Sequence, residues 1–241
     1  MKNVIELQDV WKIYKMGEVE VTALRGLSLN IKRGELISIM GKSGSGKSTS
    51  LNIVGCLDVP TKGKIYLDGK DISKLHESDL AVIRGRKIGF IFQQFNLIGT
   101  LSALENIMMP MMFQNISLLK RKERAIEVLN LVGLGNRMHH RPNQMSGGEQ
   151  QRVAIARSLV NDPEVLLADE PTGNLDLKTG EQILQLLKNL HNKYKKTVVI
   201  VTHDKDIAKE TDRICYLEDG RVIKTFLDGK IKTFKEELGL K

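Results

Sequence analysis

Apolar residues recur with two different periods along the chain, and the switches between them divide it. Ile5, Leu7 and Val10 begin a rough alternation, Leu27, Leu29 and Ile31 alternate strictly, and Leu36-Ile37-Ser38-Ile39-Met40 runs straight into glycine. The first forty residues therefore read as strands able to pair antiparallel. A helix is expected after Gly46, through Leu51 and Ile53 to about Cys56, then a turn at Pro60-Thr61-Lys62-Gly63 and the short strand Lys64-Ile65-Tyr66-Leu67. Residues 88–92 make another buried-strand candidate. From about residue 95 to 160 the period becomes helical, in 103–113, 120–132 and 149–159, which predicts a helical insert. Fully apolar runs return as Val165-Leu166-Leu167-Ala168 and Val198-Val199-Ile200-Val201, separated by an amphipathic helix over 179–194. Such runs, alternating with helices, predict an α/β fold with a central, mainly parallel sheet covered on both sides. The expected organisation is a core of residues 1–94 and 161–241 with an N-terminal antiparallel β subdomain, and a helical subdomain, 95–160, inserted in it.

Composition narrows the class. Of 241 residues 41% are hydrophobic and 27% charged, enough to bury a core and far from the signature of disorder. No apolar run reaches about 18 residues, and Met1-Lys2-Asn3-Val4-Ile5-Glu6 lacks the apolar core of a secretory leader, so neither spanning nor secretion is expected. Cys56 and Cys215 lie in apolar stretches at no metal-like spacing and read as reduced, buried thiols. The formal net charge of +8 suits nucleic acid, anionic lipid, nucleotide phosphates or plain solvated lysine. Over 221–241 the basic residues interleave with apolar ones, which reads as a solvated last element, and no nucleic-acid partner is expected.

Gly41-Lys42-Ser43-Gly44-Ser45-Gly46-Lys47-Ser48 satisfies G-x-x-x-x-G-K-[ST] between a predicted strand and a predicted helix. Glycines let backbone N–H groups converge on phosphate oxygens and the helix aims its positive end there. Lys47 reaches the terminal phosphates and Ser48 offers a hydroxyl to Mg²⁺. Lys42 reads as facing solvent. A second carboxylate-bearing strand completes such a site: Val165-Leu166-Leu167-Ala168 ends in Asp169, the metal-side candidate, and Glu170, which can orient or deprotonate the attacking water. Thr202-His203-Asp204 closes the next apolar run, placing an imidazole where it can donate to the γ-phosphate or position that water.

With these residues in place, the chain resembles the nucleotide-binding domain of ATP-binding cassette (ABC) transporters over nearly its whole length, a P-loop NTPase fold. The most specific stretch is Met145-Ser146-Gly147-Gly148-Glu149-Gln150-Gln151-Arg152, which is similar to the family's signature motif. The resemblance implies that Tyr14 stacks on adenine, that Thr49 joins the phosphate-loop residues in holding ATP, and that Gln93 senses metal and γ-phosphate. Gln94 stands beside it, and Gln93 is taken because it directly follows the strand. The resemblance further makes Gly173-Asn174-Leu175-Asp176 the D-loop, with Asp176 at the nucleotide, and His203 the switch histidine. Glu149 stands where the family most often has glutamine, and Met145 where it often has leucine. Ser146 to Glu149 also spells a capping box, so Glu149 has a structural duty available to it.

The resemblance also implies a homodimer with ATP at its interface, in which Ser146, Gly147, Gly148 and Glu149 of one subunit close on the ATP of the other. A transmembrane permease subunit would hold the protein at the cytoplasmic face of the membrane. Residues 94–101 are the expected attachment, and Met108, Met109, Met111 and Met112 read either as part of it or as subdomain core. Residues 26–31, 51–58 and 92–98 are similar to the branch of lipoprotein-release, macrolide-export and antimicrobial-peptide-export ATPases, and the short segment after Gly220 lacks the regulatory domain of sugar-importer ATPases. The competing reading is a soluble ABC ATPase acting on ribosomes or DNA, which shares the catalytic motifs but carries paired cassettes or long coiled-coil insertions. A nucleotide-gated scaffold without turnover is the third, against which Glu170, Gln93 and His203 speak.

Overall fold

In the computed structural model, which describes residues 2–227, the chain runs through β1 (Asn3–Met16), β2 (Val19–Lys32), β3 (Leu36–Gly41), α1 (Lys47–Val54), β4 (Lys62–Leu67), β5 (Lys70–Asp71), α2 (Glu77–Lys87) and β6 (Ile88–Ile91). It continues with α3 (Ala103–Met112), α4 (Leu118–Leu131), α5 (Gly147–Leu159), β7 (Val165–Asp169), α6 (Leu177–Tyr194), β8 (Thr197–Val201), α7 (Lys205–Lys209), β9 (Arg213–Glu218) and β10 (Arg221–Leu227). The expected α/β class holds. Two compact units form, one from residues 2–81 with 197–227 and one from 82–196.

In the first unit β1 pairs antiparallel with β2 and β4, in the order β2-β1-β4-β5. The strict alternation in β2 buries Leu27, Leu29 and Ile31 against exposed Ser28 and Asn30. The looser spacing of Ile5, Leu7 and Val10 has a cause: Asp9 takes a φ of +49° and the register shifts between Leu7 and Val10, so a bulge inserts one residue. Ser28 Oγ accepts from the Asp9 N–H at this bulge. β3 and β8 are buried at every position and pair in parallel, and β3 also pairs in parallel with β9, whose other edge takes β10 antiparallel. Strands without a polar face need cover on both sides; α1 packs on β3 and β8, and α7 on β3. Arg213 Nε donates to Glu35 at 2.7 Å, clamping β9 to the chain entering β3.

The second unit has the parallel pair β6–β7, five α-helices or parts of them, and two short 3-10 turns at 135–137 and 142–144. Gly89 lets α5 approach β6, since a Cβ there would lie 2.3 Å from the Ser158 carbonyl oxygen. α3, α4 and α5 pack on one another, and α5 also packs on α6. Val153, Ala154, Ile155 and Ala156 are all buried, so α5 is the hub of these contacts.

Three features depart from the pattern reading. The hydrophobic pattern does not predict α2, because Leu80 is its one buried residue and it shows no apolar stripe. α7 has five residues, too few for a period to register. The turn expected over 60–63 ends earlier, because Lys62 and Gly63 already belong to β4, where a Cβ on Gly63 would lie 2.2 Å from the Asp9 carbonyl oxygen. Cys56 and Cys215 are buried and form no disulfide, as expected. Among the described residues no helix is long and apolar enough to cross a membrane. Of the basic segment 221–241, the part beyond residue 227 lies outside the described residues.

Candidate functional site

The first unit carries the glycine-rich loop between β3 and α1. Gly44 and Gly46 have φ of +79° and +96°, left-handed backbone that a side chain would strain. A Cβ on Gly41 would meet the Leu217 carbonyl oxygen at 2.3 Å, and one on Gly46 the Ala23 carbonyl oxygen at 2.7 Å, so the loop is wedged between strands. Lys47 folds back over it, its Nζ donating to the carbonyls of Gly41 at 2.9 Å and Lys42 at 2.8 Å. Lys42, Ser43, Gly44 and Ser48 are exposed, while Ser45 is buried with its Oγ lacking a hydrogen-bond partner. α1 begins differently from α3, α5, α6 and α7. Those four are capped by Ser102, Ser146, Asp176 and Asp204; α1 and α4 have no side-chain cap and no acid in their first turns, and of these two α1 alone starts from a left-handed glycine, Gly46. Its N-terminal N–H groups therefore face outward with the helix dipole behind them. A loop of this construction fits a polyphosphate chemically: left-handed glycines, an ammonium and an uncapped helix start are all donors.

Tyr14 lies in the same unit within a network that the motifs did not signal. Its hydroxyl donates to Asp58 at 3.0 Å, Lys12 Nζ donates to the same carboxylate, and that ammonium stands 5.0 Å from the Tyr14 ring centroid. Burial pushes the Tyr14 phenol up, and the Asp58 carboxylate adds to the shift, while a hydrogen bond with Thr49 opposes it. The ring is thus fixed at β1 by Asp58, 44 residues away in sequence. His203 follows β8 in this unit and is exposed.

The second unit holds Gln93, Ser146 to Glu149, Asp169, Glu170 and Asp176. Asp169 is the last residue of β7 and half-buried, and Glu170 after it has a φ of +45°. For a non-glycine residue that conformation is uncommon and re-aims the side chain leaving the strand. Gln93 lies against residues 173–174: a Cβ on Gly173 would be 2.8 Å from its Nε2, and Asn174 Nδ2 donates to the Gln93 carbonyl at 3.0 Å. Gln151, fully buried in α5, donates to the Pro171 carbonyl at 2.6 Å, tying the signature helix to the residue after Glu170.

The predicted capping box is present. Ser146 Oγ accepts from the Glu149 N–H at 3.2 Å and Glu149 Oε2 accepts from the Ser146 N–H at 2.9 Å. Glu149 Oε1 accepts in addition from Arg137 Nε at 3.1 Å. The Ser146 N–H, then Arg137, hold the Glu149 carboxyl below the usual glutamate range. Gly148 is required by packing, since a Cβ would meet Thr179 Cγ2 at 2.4 Å. Asp176 caps α6, accepting from the Thr179 N–H at 3.0 Å, and Thr179 holds its carboxyl low.

Two residues around 94–101 escaped sequence reading. Buried Asn106 accepts from the Ile98 N–H and donates to the carbonyls of Ile98, Leu101 and Ser102. Arg157 donates to the Phe95 carbonyl at 2.9 Å and to that of Asn96. An amide that engages four backbone groups has no motif, although the S-x-x-E box of Ser102 and Glu105 just before it is legible. Of the four methionines, Met111 is core and Met112 is exposed.

Comparison with known proteins agrees with this geometry. Residues 24–173 match the family described as ABC transporter. An uncharacterised ABC transporter ATP-binding protein of Thermotoga maritima is 57% identical over 222 residues, 92% of this chain and 94% of that protein. The macrolide export ATP-binding/permease protein MacB of Hyphomonas neptunium is 48% identical over 91% of this chain, which spans 34% of MacB. The dimeric, post-hydrolysis structure of the cassette MJ0796 bound to ADP and Pi, a protein of Methanocaldococcus jannaschii, superposes with a TM-score of 0.85 at 52% identity, covering 92% of this chain and 98% of that one. Motif, fold and kinship converge: the chain belongs to the ABC transporter family, a P-loop cassette that binds ATP and hydrolyses it.

Proposed function

We propose that the chain is the motor of an exporter: ATP closes two copies into a two-fold dimer, hydrolysis reopens it, and a separate transmembrane permease uses the motion. The observation that carries the nucleotide half is the uncapped start of α1 behind left-handed Gly44 and Gly46, with Lys47 folded across the loop. Kinship to MacB supports export and a membrane partner, and the dimeric MJ0796 structure supports the pair. The protein then sits at the cytoplasmic face of a membrane, attached through residues 94–101, whose backbone Asn106 and Arg157 hold in shape. In this reading residues 1–94 with 161–241 are the nucleotide core and 95–160 the inserted helical subdomain.

The residues divide the work by their chemistry. Tyr14 packs on the base, Gly41 to Thr49 hold the phosphates through N–H groups, the Lys47 ammonium and hydroxyls, and Lys42 and Ser43 line the loop's exposed rim. Ser48, Gln93 and Asp169 offer the hard oxygens suited to Mg²⁺, which when bound neutralises charge on the phosphates. Glu170 accepts a proton from the attacking water, from a left-handed position directly after β7. His203 donates to the γ-phosphate. Ser146, Gly147 and Gly148 of the second copy, held at the start of α5 by the Glu149 cap, close on the same phosphate, with Asp176 beside them, so that ATP joins the copies and ADP does not.

Glu170→Gln tests the catalytic assignment. The variant is expected to bind ATP as the parent does while turnover falls by about 100-fold or more; unchanged turnover would remove Glu170 from the role.

A further inference from the structure

A carboxylate at the start of α5 opposes the duty given to that helix. A helix N-terminus that receives a polyphosphate should present donors and positive potential, and an acid in its first turn repels the anion it must hold. Glutamine at this position is neutral and keeps the capping bond; glutamate keeps the bond and adds a charge. In this chain the charge is Glu149, and both its oxygens are occupied: Oε2 by the Ser146 N–H and Oε1 by the Arg137 guanidinium at 3.1 Å. Arg137 comes from a short helical turn, residues 135–137, well separated from α5 in sequence, so the pair is made by the fold and not by the motif.

We propose that Arg137 is a positioning residue for ATP-driven dimer closure: it neutralises Glu149 and turns its carboxylate aside, so that the signature helix meets the γ-phosphate as a donor and not as an anion. The inference rests on the reading that Ser146 to Gly148 face the partner's ATP. The Arg137 fork also reaches His140 Nε2 at 3.2 Å, so a purely architectural duty is the competing explanation. The two differ in one respect. A brace through His140 is independent of the charge at 149, and a brace through the Glu149 ion pair would weaken the dimer in Glu149→Gln as well, whereas neutralisation has nothing to do once that charge is gone.

The experiment uses the full chain with Glu170→Gln to suppress turnover, and measures by sedimentation the ATP-dependent monomer–dimer constant for four versions: no further change, Arg137→Gln, Glu149→Gln, and both. Arg137→Gln is expected to weaken the dimer about 5-fold per site, hence about 25-fold for two symmetric sites, with the loss growing at low salt. Glu149→Gln should dimerise at least as tightly as the parent, and the double variant should match Glu149→Gln. Nucleotide binding by the monomer should be the same in all four. An undiminished dimer in Arg137→Gln, or a loss that persists in the double variant, overturns the proposal. Ser146→Arg separates this from the reading beneath it: if that variant still dimerises with ATP, the signature does not face the phosphate and both fall; if it fails while Arg137→Gln does not, only the role of Arg137 falls.

Discussion

At the scale of single residues, the phosphate loop is the part of the site most fully written in the sequence, because each position is dictated by one physical need. Gly44 and Gly46 adopt positive φ, and Lys47 and Ser48 carry the ammonium and hydroxyl that the proposed phosphate site uses. Gly46→Ala illustrates the tightness: the new methyl would be strained at φ +96° and lie 2.7 Å from the Ala23 carbonyl oxygen. ATP affinity measured by fluorescent-nucleotide titration is expected to fall more than about 10-fold, with the cost of a φ > 0 side chain at about 1–2 kcal/mol before the collision is counted. Partners brought in by tertiary approach were not legible. Asp58 at the Tyr14 hydroxyl, Asn174 at Gln93 and Arg137 at Glu149 lie 44, 81 and 12 residues from the groups they serve, and no spacing announces them.

Elements were readable where burial imposes a period and unreadable where it does not. β3, β8 and the helices of 103–159 declared themselves, while α2, with Leu80 alone buried, and the bulge at Asp9 did not. The start of α3 shows how local chemistry holds an element. Ser102 Oγ accepts from the Glu105 N–H and Glu105 Oε2 accepts from the Ser102 N–H, so Ser102→Ala should cost about 1 kcal/mol in urea unfolding. The Ser102 N–H, with its hydroxyl, holds the Glu105 carboxyl below its ordinary range. A depressed folded value means that this stabilisation is complete above the unfolded value of about 4.3 and is lost as pH falls through it and on through the lower folded value. The stability gap between the parent and Glu105→Gln should therefore be constant from neutral pH to about 5 and shrink below about 4; a gap unchanged by acid would deny the linkage. Asn106→Ala removes a buried amide that engages four backbone groups and should destabilise by about 2 kcal/mol, read from the same urea midpoints.

For the whole molecule, the sequence carries motifs that resemble the family's in order but holds no term for what the ATPase drives. Permease, cargo and direction are properties of surfaces that meet another chain, and residues 94–101 show only a segment braced by Asn106 and Arg157. The dimer is different, because its proposed glue is ATP itself. Sedimentation equilibrium of the Glu170→Gln chain with ATP and with ADP tests that claim most directly. The account predicts a dimer of twice 27.1 kDa with ATP, a monomer with ADP, and a monomer with either nucleotide once Ser146→Arg is added. A monomer with ATP in the Glu170→Gln chain, or a dimer indifferent to the γ-phosphate or to Ser146→Arg, would contradict it.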